Sequence, residues 1–238
     1  MPDFLSFVQS RLEDLLKERE ECKPFIETVK QMNNVWQIPE LLEKYFMLNL
    51  PVLPRACLPK YTEINGHLYV GEETKIDSFC SFEGQVYIGN NCTIEAGCKF
   101  KGPVYVGDKS RIGPNAYLRQ GSIVGENCHV GHCSEVKNSV MLNHSNAPHR
   151  NYVGDSVIGE HCNLGSGTQI ANVLLGEKPI IAELPDGSKY SSVRKKLGAV
   201  LENYCKTGCN VVLNPGSYLK EKTGVVFEKG TLKYVQLK

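Results

Sequence analysis

The chain has no cysteine pair spaced CxxC, no long apolar run and no excess of charge, and each absence removes a class of answers. Ten cysteines in 238 residues would suit a thiolate metal site or a disulfide framework, but without CxxC spacing neither is expected, and no metal is predicted. No stretch approaches the ~18 consecutive apolar residues of a membrane-spanning helix. The first residues, MPDFLSFVQSRLEDLLKEREE, lack the basic-then-apolar order of a secretion signal, so the expectation is a cytoplasmic protein with reduced thiols. With 27 basic and 26 acidic residues the net charge is +1, too small for a field that would draw in nucleic acid or an anionic membrane. At 41% hydrophobic and 22% charged, the composition is that of a soluble globular chain with one large domain, or a modest domain plus an extension.

What is present is a repeat. Steps of six from Ile64 land on Val70, Ile76, Phe82, Ile88, Ile94, Phe100, Val106, Ile112, Leu118, Val124, Val130, Val136 and Leu142. A helix repeats every 3.6 residues and a long strand every two; a pure six-step series is the mark of a parallel β-helix, three steps to a coil. The coil length shows directly in Gly66-His-Leu-Tyr-Val-Gly71, Gly84-Gln-Val-Tyr-Ile-Gly89 and Gly102-Pro-Val-Tyr-Val-Gly107, spaced by eighteen. Four places after nine of these apolar hits stands a small residue: Thr74, Cys80, Cys92, Cys98, Ser110, Ala116, Ser122, Cys128 and Ser134. Cysteine fits such a slot as a small hydrophobe, and six of the ten cysteines occupy it. The glycines at 71, 89, 107, 113, 125 and 131 suit tight corners where a side chain would clash or φ is positive.

The series breaks at 143–151, resumes in shifted phase at Tyr152, Ile158, Leu164 and Ile170, breaks again at 173–196, and returns at Leu201, Thr207, Leu213, Leu219 and Val225. Within the second break, Ile180 to Leu184 and Tyr190 to Val193 flank Pro185-Asp186-Gly187, the makings of a hairpin. The expected architecture is mainly β: a parallel β-helix over 61–238, with an excursion at 173–196. Residues 1–60 read as an α-helical extension, where Phe4, Leu5, Val8, Leu12, Leu15 and Leu16 form an amphipathic stripe and Pro39 opens a second helix. Open coil ends need caps, and this segment is expected to supply one, with strands at Val225 and Tyr234 closing the other end.

The stretch NAYLRQGSIVGENCHVGHCSEVKNS, followed by APHRNYVGDSVIGEHCNLGSGTQIAN, resembles the acetyltransferase domain of the bifunctional glucosamine-1-phosphate acetyltransferases and N-acetylglucosamine-1-phosphate uridylyltransferases. Archaeal sugar-phosphate nucleotidylyltransferases with such a domain are closer still. The resemblance spans about residues 60–230. It implies a left-handed β-helix, an exception to the usual crossover hand, assembled as a homotrimer with sites between subunits. It further implies an amino sugar phosphate as acceptor and acetyl-CoA as donor. By resemblance His149 is the catalytic base, Arg119 and Lys137 bind the sugar phosphate, Tyr152 and Asn163 contact the sugar, and Asn172 lies near the reacting amine. Ser166 falls where a backbone N–H stabilises the oxyanion. Imidazole is mostly neutral at pH 7 and can accept the proton of an attacking amine.

The sequence departs from the bacterial pattern after Asn172, where Val-Leu-Leu replaces Tyr-Asp-Gly and the excursion is longer. Arg194, Lys195 and Lys196 are the cations placed to meet the phosphates of coenzyme A. No glycine-rich nucleotide-binding segment opens the chain, so no nucleotidyltransferase half is expected. Two other readings use the same repeat. One is a zinc hydratase of the γ-carbonic anhydrase kind, for which His144 and His149 are spaced correctly while His129, His132 and His161 have no matching position. The other is a non-catalytic trimeric scaffold that partners a separate nucleotidyltransferase.

Overall fold

A computed structural model describes residues 3–50, 58–176, 178–184, 187–192, 194–228 and 230–237. From Glu63 the backbone winds as a parallel β-helix of about nine turns. Its register repeats the sequence period: Phe82 pairs with Phe100, Phe100 with Leu118 and Leu118 with Val136 on the first face. Ile88, Val106 and Val124 align on the second, and Ile76, Ile94, Ile112 and Val130 on the third. The rings of Phe82 and Phe100 stack at 4.9 Å, and Tyr69, Tyr87 and Tyr105 at 4.8 Å per step. These are the spacings of neighbouring strands, so each aromatic covers its equivalent one coil away.

The small slots are buried, and their side chains do more than fit. Cys92 Sγ donates to Gly107 O at 3.2 Å, Cys98 Sγ to Gly113 O at 3.0 Å and Ser110 Oγ to Gly125 O at 2.8 Å. Those to Gly107 and Gly125 satisfy corner carbonyls that the backbone leaves unpaired, while Gly113 O also accepts from Ala116 N at 3.2 Å. The corner glycines follow the close-approach explanation: a Cβ on Gly107 would sit 2.7 Å from the carbonyl carbon of Gly125. Left-handed backbone falls elsewhere in the corners, at Asn91, Lys109 and Asn127 (φ 56°, 58° and 53°).

Two expected phases are corrected. Val124 pairs with Met141 and Met141 with Ile158, so these coils are seventeen residues long and Met141, not Leu142, points into the coil core. Leu142 faces outward, buried under the N-terminal layer. Likewise Val153 is the inward residue and Tyr152 its outward neighbour. The shortening occurs at the corner between the first and second faces, the third corner, where Asn138 and Asp155 take left-handed conformations (φ 46° and 50°), which short polar side chains tolerate. Residues 143–151 are therefore no break: the strand Asn146–His149 continues the third face, with His149 opposite His132.

The excursion carries a hairpin in which Ile181–Glu183 pairs antiparallel with Lys189–Ser191. Pro185, Asp186 and Val193 of the expected hairpin lie outside the described residues. The series then returns as expected, with Leu201 against Leu219 and Thr207 against Val225. Antiparallel strands Thr223–Glu228 and Thr231–Gln236 close the C-terminal end.

Three helices precede the coil. α1 (Phe4–Leu16) is N-capped by Asp3, whose carboxylate accepts from Ser6 N at 2.7 Å. α2 (Lys23–Gln31) and α3 (Ile38–Tyr45) each have proline in the first turn, where a missing N–H costs nothing. Their apolar sides do not cover the end of the coil. They pack along its second face, against the outward residues Tyr105, Ile123, Val140, Val157 and Val200. Tyr105 Oη donates to Leu15 O at 3.0 Å, and the Arg19 guanidinium lies 4.0 Å over the Tyr87 ring. No described helix is long and apolar enough to cross a membrane.

Candidate functional site

The shortened third corner organises the polar residues of the first face. Asp155 is fully buried there, and a carboxylate taken out of water needs partners for both oxygens. Oδ2 accepts from Lys137 Nζ at 3.0 Å and Asn172 Nδ2 at 2.6 Å; Oδ1 accepts from Asn138 Nδ2 at 2.8 Å and Arg194 Nη2 at 3.4 Å. The Asn172 amide also donates to the Tyr152 hydroxyl at 3.1 Å. Four of the sequence-predicted residues, Lys137, Tyr152, Asn172 and Arg194, thus form one connected group. Asp155 itself escaped the sequence reading, although it lies within YVGDSVIG. The signal was the length of the step: a five-residue side puts a left-handed polar residue at the corner.

Arg119 stands one coil before Lys137 on the same edge, its guanidinium bonded to Glu135 at 2.8 Å. Its Nε is buried and meets no acceptor among the described residues. Burial first, then the charges of Asp155 and Glu135, pushes the Tyr152 hydroxyl above its ordinary range. It remains a protonated donor at neutral pH.

His149 and Ser166 occupy the preceding corner, between the third and first faces. The exposed His149 ends its strand, and its N–H donates to Asn151 Oδ1 at 2.9 Å. Gly167 N donates to His149 O at 2.8 Å, which sets Ser166 one coil above the histidine. Among the described residues the Ser166 N–H donates to no backbone carbonyl. Asn163 is not with the others: it is exposed on the third face, bridged to Asn146 and Lys206.

The basic run divides. Arg194 is held in the corner by Asp155, by Glu43 at 2.6 Å and by Pro39 O at 2.6 Å, while Lys195 and Lys196 are exposed. Between α3 with the segment after it and the third corner lies a cavity of about 340 Å³, lined by Leu42, Phe46, Met47, Leu48, Lys137 and Arg194 among others. His149 ends the strand Asn146–His149, whereas His144 lies in the corner before it and stacks on His161 at 4.7 Å. Among the described residues no three His, Cys, Asp or Glu side chains group as metal ligands.

Two family models match. Residues 67–102 fit the bacterial transferase hexapeptide (six repeats) and residues 100–184 the GMPPB C-terminal domain. A bifunctional sugar-1-phosphate nucleotidylyltransferase/acetyltransferase of Sulfurisphaera tokodaii is 43% identical over 103 residues, 43% of this chain and 25% of that protein. The bifunctional protein GlmU of Methanococcus vannielii is 38% identical over 103 residues, 43% of this chain and 24% of the relative. The chain thus spans about a quarter of the length of these relatives. Among solved structures, LpxA of Bacteroides fragilis, a UDP-N-acetylglucosamine acyltransferase, aligns over 75% of this chain and 73% of its own at 12% identity, with a TM-score of 0.46. The hexapeptide-repeat character and the likeness to these bifunctional proteins agree with the resemblance carried by the motifs.

Proposed function

We propose that this chain is an acyltransferase that moves acetyl from acetyl-CoA to the amine of a hexosamine 1-phosphate, glucosamine 1-phosphate or a near relative. The observation that carries the proposal is the assembly of Lys137, Tyr152 and Asn172 around one buried carboxylate, with His149 and Ser166 on neighbouring coils of the adjacent corner. Two cations one coil apart, Arg119 and Lys137, suit a phosphate that bridges two rungs. The Tyr152 hydroxyl and Asn163 offer hydrogen bonds to sugar hydroxyls, which is how a polar acceptor is selected.

In the reaction the unprotonated amine attacks the thioester carbonyl carbon while His149 takes its proton. The carbonyl oxygen gains the negative charge and is met by the Ser166 N–H. Collapse expels the thiolate of coenzyme A, which recovers the proton from His149, and the amide remains on the sugar. Lys195 and Lys196 meet the phosphates of the coenzyme, with Arg194 holding their loop to α3. The working form is a cytoplasmic homotrimer.

The test is thiol release from acetyl-CoA with glucosamine 1-phosphate. Release that depends on the acceptor and falls about 100-fold or more in His149→Ala is the expected result. Release indifferent to His149 rules out the assigned base, and no release with any hexosamine phosphate favours the scaffold.

A further inference from the structure

We propose that Asp155 is a positioning residue: it fixes the Asn172 carboxamide with its oxygen, not its nitrogen, toward the amine that is to be acylated. The inference rests on the acyl-transfer reading above and adds to it a residue that the motif resemblance does not assign.

The argument is one of donors and acceptors. Asp155 is wholly buried and faces two cations, Lys137 Nζ at 3.0 Å and Arg194 Nη2 at 3.4 Å. It is therefore the negative member of the group and can only accept hydrogen bonds. The Asn172 atom 2.6 Å from its Oδ2 must then be the NH₂ nitrogen. The same nitrogen reaches the Tyr152 hydroxyl at 3.1 Å, which uses both of its hydrogens. Asn172 Oδ1 accepts no hydrogen bond among the described residues, and Asn172 is only half-buried. The carboxamide thus presents an acceptor outward. Tyr152, whose oxygen receives a hydrogen from Asn172, must aim its own O–H elsewhere.

Orientation matters for an amine nucleophile. The nitrogen must keep its lone pair for the acyl carbon, so it is best held through its N–H bonds, and a carbonyl oxygen does that. A carboxamide turned the other way would offer N–H to the lone pair and hold the amine in an unreactive form. Because a carboxylate cannot donate, Asp155 permits one orientation. Asparagine at the same place would permit both.

Asp155→Asn is therefore expected to lower kcat on the order of 10- to 100-fold. Asn172→Leu should lower kcat comparably, and the double variant should be no worse than Asn172→Leu alone, because the two act through one hydrogen-bonded unit. Losses that multiply would show that Asp155 acts only on the fold, and wild-type kcat in Asp155→Asn would overturn the proposal outright. A measurement on the unaltered protein stands beside these in case the variant does not fold. The Asn172 side-chain amide protons, followed by ¹⁵N-edited NMR in D₂O, should be protected from exchange; exchange at the rate of a solvent-exposed carboxamide overturns the proposal. Absence of thiol release from the wild type would count against the acyl-transfer reading, while the amide protons would still report whether Asp155 orients Asn172.

Discussion

At the scale of single residues, the small slots and the corners set the chemistry of the coil. A cysteine there trades its thiol proton to a corner carbonyl and loses water. Burial accordingly pushes the Cys128 thiol up to about 12, and such a group is neither nucleophile nor ligand at neutral pH. Histidines sit instead on the outside. His129 stands beside Arg111 of the preceding coil, and burial first, then the charges of Arg111 and His149, holds its imidazole below the ordinary value near 6.5. The unfolded chain then binds this proton more readily than the folded one, so the term is absent above about pH 6.5. It grows as pH falls from there and is complete below the folded value. His129→Gln is expected to lessen the fall of Tm on acidification through that window and to leave Tm above pH 7 nearly unchanged. An identical decline in both proteins would mean that His129 does not contribute.

At the scale of elements, the six-step series and the small slots were sufficient to find the coil, because every inward position has to be apolar or small in a stack with no other core. The phase failed where two adjacent residues were both acceptable: Met141 beside Leu142, and Val153 beside Tyr152. Only the corner at Asn138 and Asp155, one residue short, decides between them. For the same reason Lys137, Tyr152 and Asn172 were legible through the motif, while the carboxylate that binds them together was not. The helices were legible from their stripe and their prolines, but not the surface they cover. The outward residues Tyr105, Ile123, Val140 and Val157 alternate with inward ones, and a sequence does not show that they form one apolar column. Leu12 of α1 is fully buried against that column, so Leu12→Ala should cost about 2–5 kcal/mol of docking stability. The single tryptophan, Trp36, is 1% exposed in the same layer, so its fluorescence reports the layer, while the β-sheet infrared amide band reports the coil. In urea the fluorescence transition is expected to move to lower denaturant and the infrared transition to move less. Equal movement of both would mean that layer and coil unfold as one unit.

At the scale of the molecule, a β-helix is a stack in which each coil touches its neighbours, and a chemical group can reach another face only around the outside. Lys137, Tyr152 and Asn172 belong to the first face and the third corner, whereas Asn163 projects from the third face. One chain therefore cannot bring Asn163 to the ligand proposed for Lys137. A second copy with its third face against the first face of its neighbour can, which is the physical content of a trimer with sites between subunits. Complementation tests it without a structure of the assembly. Lys137→Ala and Asn163→Ala homotrimers should each transfer poorly. If each site draws Lys137 from one subunit and Asn163 from the next, random mixing of equal amounts of the two chains leaves about a quarter of the sites with both residues intact. Refolding the two variants together should then restore about that fraction of the wild-type rate. If a site uses residues of a single chain, every site in the mixture carries a lesion, and the mixed protein will be no faster than the better of its parents.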